Sequence, residues 1–405
     1  MRLTDTLSDI FAIALEATDP ARLTAKSVAS ISGSLAVVAF GKAAARMYAG
    51  AAQVCSVSSA LLVVPEGYEA DPRFTGGAAV LRGGHPRMTR ETFESGQRLI
   101  EFVLACENDV LFLISGGGSA CVDHALEPWF SMDDVAAIND ELIRSEEPIQ
   151  SINVVRKHLS SIKGGRLGML ARHALHTCIY SDVAIGQPGF VASGPTINDP
   201  STNENAAAIL ARYSSEAARR ASRILRSGDV PETPKEGLRP PIVAADNGTL
   251  VEAACAAARA RGLAVVRMDH EMEGDVEHVA SELADMMAGL PSGSCLVAGG
   301  EQTVALRGSG VGGRCSELAA LFLRISGDPK ICGLFAASDG RDGNSPGAGF
   351  VLDGQRFASH PFSEWQYQDA AARSDTFPLL EMVAEPIIIP STGNNLRDLV
   401  LLARE

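Results

Sequence analysis

Three observations predict an α/β protein built from two domains. Short, largely apolar runs at residues 35–40, 60–64, 110–114 and 176–180 alternate with helix-like segments. Runs that apolar are buried on both faces, as in parallel sheets covered by helices. Each run also opens into a loop rich in Gly, Ser or Asp, and ligands of such sheets bind beyond the carboxyl ends of the strands. Finally, residues 229–241 are rich in proline and charge and interrupt the pattern, which then restarts. The expected domains are 1–235 and 240–405, with the last segment free to return to the first domain.

Taken in order, residues 1–30 carry a helical stripe of Leu7, Ile10, Phe11, Ala14 and Leu15. The run 35–40 leads into Gly41-Lys42, and 60–64 into Pro65-Glu-Gly67. The run 110–114 leads into Ser115-Gly-Gly-Gly-Ser119, and 176–180 into Ser181-Asp182-Val183. A polar helical stretch covers about 201–228. After the linker, 242–245 precedes Asp246-Asn247-Gly248, and 295–298 precedes Gly299-Gly-Glu301. Next, 332–337 precedes Ser338-Asp339-Gly340, and 386–390 precedes Ser391-Thr-Gly-Asn-Asn395.

The formal net charge of -14 argues against nucleic acid and anionic membrane as partners. The eight cysteines form no Cys-x-x-Cys pair, and several sit inside apolar runs, so they read as buried thiols in a reducing compartment. No apolar stretch reaches membrane-spanning length and the start lacks a signal-peptide core, so the expected location is the cytoplasm.

Against that acidic background, the run Asn153-Val-Val-Arg-Lys-His-Leu-Ser-Ser-Ile-Lys-Gly-Gly-Arg166 concentrates five basic groups. It reads as an anion site to which Arg156 adds charge, with Lys163 and Arg166 around phosphate and the amides of Gly164 and Gly165 bared between these two. Ser115, Gly116, Gly117, Gly118 and Ser119 form a second candidate anion loop. Gly308-Ser-Gly310-Val-Gly312-Gly313-Arg314 contains a literal Gly-x-Gly-x-x-Gly after a strand-like run at 303–306. It reads better as a cationic phosphate loop than as a dinucleotide site, because no acidic residue follows at the end of a second strand. Asp182, Glu301 and Asp339 offer hard oxygens at strand ends, which suit Mg²⁺. No Walker sequence and no Gly-x-Ser-x-Gly elbow occur, so neither a P-loop NTPase nor a serine hydrolase fits.

These motifs, in this order and together with Ala192-Ser-Gly-Pro-Thr196 and Thr392-Gly-Asn-Asn395-Leu-Arg-Asp398, resemble the class II glycerate 2-kinases over nearly the whole chain. The resemblance implies a larger N-terminal Rossmann-like domain, a smaller C-terminal α/β domain and an active site in the cleft between them. It implies phosphorylation of D-glycerate at its 2-hydroxyl by ATP with Mg²⁺, giving 2-phosphoglycerate. Lys42 and Arg314 match the family's catalytic residues. Gly310, Gly312, Gly313 and Asn395 fall in its binding motifs. A kinase for a related short sugar acid stays open, as does an NAD(P)H-dependent hydroxypyruvate reductase, a second label of the same family. A homodimer also stays open. Cys315, Gln187, Asn394 and Ser338 depart from the family's usual Asn, Asp, Thr and Thr, and the first two bear on substrate identity.

Overall fold

The helical stretch at the N-terminus is two helices, Leu3–Ala17 and Pro20–Val28, divided where the Thr18 hydroxyl donates to the Ala14 carbonyl at 2.7 Å. Pro20 has no N–H to continue the first helix and instead opens the second. The division matters because the two helices belong to different parts of the protein. A computed structural model, describing residues 2–68, 71–145 and 147–405, separates a central unit, Pro20–Ala244, from a terminal unit, Met1–Asp19 with Ala245–Glu405.

In the central unit, six strands form one sheet: β1 (Ser34–Phe40), β2 (Ser56–Pro65), β3 (Ala79–Gly83), β4 (Asp109–Ser115), β5 (Leu175–Tyr180) and β6 (Ile242–Ala245). Their order is β3-β2-β1-β4-β5-β6, and the pairs among β1 to β5 are parallel. This is the strand order of the dinucleotide-binding folds, in which the chain's direction of travel reverses between β1 and β4. Val38, Phe40, Val110, Phe112 and Ile114 are buried at 1% exposure or less, which is why both strands read as unbroken apolar runs.

The terminal sheet holds β7 (Ala264–Arg267), β8 (Ser294–Gly300), β9 (Ile331–Ala337), β10 (Gly349–Asp353), β11 (Glu385–Ile387) and β12 (Asp398–Arg404), in the order β11-β10-β9-β12-β8-β7. Only β7 and β8 pair in parallel; β12 runs antiparallel between β8 and β9, and β10 runs antiparallel to β9 and β11. A strand buried on both faces looks the same in either direction, so apolarity alone did not separate the two cases. Phe322, Phe335, Phe350 and Phe377 pack beneath this sheet in tilted ring pairs.

This partition differs from a boundary near 235–240 in two ways: the first helix packs with the terminal unit, and residues 242–245 join the central sheet as its edge strand. The last segment stays in the terminal sheet as β12. Residues 303–306, expected to be a strand, make only an isolated bridge at Thr303, and Leu306 is exposed. Among the described residues no helix is long and apolar enough to cross a membrane. All eight cysteines are unpaired, and burial pushes the Cys121, Cys178 and Cys295 thiols up to about 12, so these three are inert packing groups.

Candidate active site

At the reversal point of the central sheet the loops leaving β1 and β4 lie against each other. Gly41 has φ +109°, and a Cβ there would stand 2.4 Å from the Ser115 carbonyl oxygen, so only glycine lets the loops meet. The Lys42 N–H donates to the Gly116 carbonyl at 2.8 Å, and the Ala43 N–H donates to Ser115 Oγ at 3.0 Å. Ser115 is fully buried and its own proton points to the Phe40 carbonyl, at 3.5 Å. Its hydroxyl is therefore a stitch between the loops, not a ligand group as expected. Gly116 and Gly118 are also buried, whereas Gly117 and Ser119 keep part of their surface open.

The Lys42 ammonium stands 5.5 Å over the Tyr68 ring, which meets the His85 ring edge-on at 5.9 Å. A Cβ on Gly117 would come within 3.1 Å of Lys42 Cγ, so the glycine leaves the lysine its channel. Tyr68 follows β2 and His85 follows β3, and the sequence reading named neither. Their position just past strand ends was the available signal. Asp182, just past β5, is half-buried at the same sheet edge. Ser119 Oγ lies 2.8 Å from Ser193 Oγ, which donates to Asn153 Oδ1 at 2.7 Å; these two partners were also missed.

Most of the basic run is spent on the protein itself. Lys163, 1% exposed, forms a buried ion pair with Asp123, whose other oxygen accepts from Ser160 Oγ at 2.5 Å and the His124 N–H at 2.8 Å. Burial presses the Lys163 ammonium toward its neutral form, and Asp123 opposes that. The Gly164 and Gly165 amides donate to the Ser193 and Gly194 carbonyls at 3.0 and 2.8 Å, and Arg166 reaches the Pro231 carbonyl at 2.7 Å. Arg156 is half-buried on the helix Ile149–Leu159 and donates from Nε to Asn139 Oδ1 at 2.8 Å. One prediction follows from the interior pair. Lys163→Met should cost about 3–5 kcal/mol in urea unfolding, because it strands a buried carboxylate, while turnover per folded molecule stays near wild type.

His158 is fully buried on the same helix. The Asn203 amide nitrogen is committed to the Val230 carbonyl, so Asn203 Oδ1 faces His158 Nδ1 at 2.8 Å and the ring carries its proton there. Burial holds the His158 pKa below 6.5, despite Asn203 and Asp199. Between 6.5 and that lowered value the unfolded chain binds a proton that the folded protein refuses. Stability therefore falls as pH drops below about 6.5, by up to about 1.4 kcal/mol per pH unit. His158→Asn, which keeps a donor toward Asn203, should flatten this limb in a series of melts from pH 7.5 to 5.

In the terminal unit, Arg314 begins the helix Arg314–Ser326. It grips Asp398 with Nε at 3.0 Å and Nη2 at 3.2 Å, and Glu301 with Nη1 at 2.7 Å. Burial disfavours its charge, but Asp398 and Glu301 outweigh that and hold the guanidinium ionised; burial in turn pushes Asp398 up to about 6. Glu301 also meets Arg397 Nε at 3.4 Å, and Arg397 pairs with Glu271 at 2.7 Å. With one oxygen on each arginine, Glu301 is a support for Arg314 rather than the metal ligand expected.

The glycine loop ahead of Arg314 spends its amides inward: Gly310 on the Arg373 carbonyl, Val311 on Asp375, Gly312 on Asn344 and Gly313 on Ser316. Asp342 takes the amides of Cys315 and Ser316 at 2.9 and 2.8 Å, capping the helix with its own carboxylate. Gly310, Gly312 and Gly313 thus bind protein, and Arg314 is the group this loop presents. Gly313 is glycine because a Cβ would lie 2.2 Å from Asp342 Oδ1. Asp339 is half-buried after β9, and its carbonyl accepts from Thr392 in the loop that carries the buried Asn395.

Three of the four departures have a defined place in the structure. Cys315 is 2% exposed in the terminal core, with its thiol raised far above the usual range by burial. Asn394 donates to the Thr18 hydroxyl at 3.0 Å, and Ser338 Oγ accepts from the Leu396 N–H at 2.7 Å. Gln187 is exposed ahead of the short helix Pro188–Ser193. Among the described residues no group of three or more His, Cys, Asp or Glu is arranged to hold a metal ion. Asp182 in the central unit and Asp339 in the terminal unit are each half-buried just past a strand end.

Phosphoryl transfer asks a protein for fixed cations, and the central unit carries one in Lys42 at the reversal point of its sheet while the terminal unit carries another in the carboxylate-held Arg314 at a helix start. The domain of unknown function DUF4147 matches residues 6–226, and the MOFRL family matches residues 294–398. The chain is 30% identical over 378 residues to the D-glycerate 2-kinase of Thermotoga maritima, covering 90% of this chain and 89% of that one. It is 32% identical over 338 residues to an Agrobacterium vitis protein provisionally named hydroxypyruvate reductase, covering 79% and 76%. The crystal structure of the Thermotoga maritima glycerate kinase superposes with a TM-score of 0.86 at 27% identity, covering 100% of this chain and 99% of that one. The chain belongs to the class II glycerate kinase family.

Proposed function

We propose that the protein transfers a phosphoryl group from ATP to the 2-hydroxyl of D-glycerate, giving 2-phosphoglycerate and ADP. The observation that carries the reading is Lys42, fixed through its own N–H on Gly116 and lying over Tyr68 at the reversal point of the central sheet. The relatives named as glycerate 2-kinases support the choice of acceptor. In the transfer, the 2-hydroxyl oxygen bonds to phosphorus, the bond from phosphorus to the ADP oxygen breaks, and the hydroxyl proton leaves. Such a reaction asks the protein for position and for cations against the moving charge. Lys42 supplies the ammonium at the transferring group, and Arg314, held ionised by its two carboxylates, supplies a guanidinium for phosphate oxygens. Asp182 or Asp339 would contribute oxygens to Mg²⁺, which neutralises phosphate charge when bound.

The reductase alternative is weaker because the amides of Gly308, Gly310, Val311, Gly312 and Gly313 are committed inward, which leaves a poor pyrophosphate cradle there. The test is to incubate the protein with ATP, Mg²⁺ and D-glycerate and couple the product to enolase without phosphoglycerate mutase. Phosphoenolpyruvate absorbance is expected, since enolase accepts the 2-phospho isomer. ADP release without that signal would move the reading to another position or acid, and NADH oxidation with hydroxypyruvate would replace it.

A further inference from the structure

Ser119 is the open end of a hydrogen-bond chain whose direction can be worked out. Ser193 is fully buried, Asn153 is 3% exposed, and their 2.7 Å separation matches an O–H···O bond and is short for N–H···O. The Ser193 proton is therefore spent on Asn153 Oδ1. A serine hydroxyl has one proton, so across the 2.8 Å contact Ser119 must donate to Ser193. What Ser119 turns outward is a lone pair. It accepts a hydrogen bond and has no proton for a carboxylate or phosphate oxygen, contrary to the expectation that it wraps an anion.

The chain is held in place at a cost. Ala192 and Ser193 sit at φ +50° and +60°, in the left-handed region that favours glycine. The Gly164 and Gly165 amides clamp the Ser193 and Gly194 carbonyls, which gives the paired glycines of the basic run their place in the fold. Strain of this kind persists where surrounding structure enforces it, often at functional sites.

We propose that Ser119 selects the acceptor by accepting a hydrogen bond from its non-reacting hydroxyl, so that the site prefers 2-hydroxy acids with a second hydroxyl on C3. The inference rests on the kinase reading for its substrate. It assigns the non-reacting hydroxyl because the chain ends on an amide oxygen, which cannot take up the proton that the reacting hydroxyl must lose.

The experiment compares D-glycerate with D-lactate, which lacks the C3 hydroxyl, by calorimetric binding and by turnover. Wild type is expected to favour D-glycerate. Ser119→Ala, at a half-exposed site that leaves the fold intact, should shrink the preference about tenfold, chiefly by weakening D-glycerate. An unchanged binding preference in Ser119→Ala overturns the assignment. A binding preference that collapses as expected, in a protein that does not turn over D-glycerate, supports the assignment and overturns the kinase reading alone.

Discussion

Lys42→Ala is expected to lower turnover about a thousandfold, on the scale of losing one group that stabilises transition-state charge, with a melting temperature close to wild type. The two halves of that expectation come from different atoms. Residue 42 is tied to the fold through its N–H bond to the Gly116 carbonyl, and alanine keeps that bond. What alanine removes is the half-exposed side chain that runs past Gly117 to the Tyr68 ring. Lys42→Arg should restore little, because a planar fork on a longer stem does not reproduce a compact ammonium in that channel. ADP release under saturating substrates, with a thermal melt of the same preparation, checks both halves. Turnover within tenfold of wild type would remove Lys42 from the chemistry.

The same contrast between backbone and side chain explains which parts of the molecule the sequence disclosed. Strands such as 35–40 and 110–114 are legible because burial on both faces leaves no polar position, and the glycines and serines at their ends mark the sheet edge. Direction is not legible: Leu399, Val400, Leu401 and Leu402 are as apolar as β4, yet they run antiparallel to both neighbours. Edge strand β3 went unread because most of its residues are open to solvent and break the pattern.

Lys42, Ser119 and Arg314 are candidates that the sequence marks by polar groups beside glycines, and the structure puts each just past a strand or at a helix start. Lys163 looked similar, but its partner Asp123 lies 40 residues earlier, and nothing local reveals that one cancels the other. Likewise, the Gly-x-Gly-x-x-Gly letters are met by a loop that needs small residues to pack on Arg373, Asp375 and Asp342. A phosphate loop and a tightly packed loop both ask for glycine, so composition alone cannot separate them.

Arg314 makes the sharpest test, because its catalytic and structural parts can be separated. Arg314→Met should lower turnover about a thousandfold and also lower stability by about 3 kcal/mol, since Asp398, 1% exposed, loses its bidentate partner. The stability loss should depend on pH with a definite sign. Burial already pushes Asp398 up to about 6 beside the arginine, against an ordinary value of 3.8, and without the guanidinium it must rise further. The folded variant then holds a proton that the unfolded chain releases. Its stability is greatest below about 4 and falls as pH rises through that elevated value. Adding Asp398→Asn removes the stranded charge, so the double variant should recover most of the stability and lose the pH dependence while staying inactive. Urea melts at pH 5 and pH 8, set beside kcat, measure both effects. A double variant that regains activity along with stability would mean that Arg314 serves the fold and not the phosphoryl transfer.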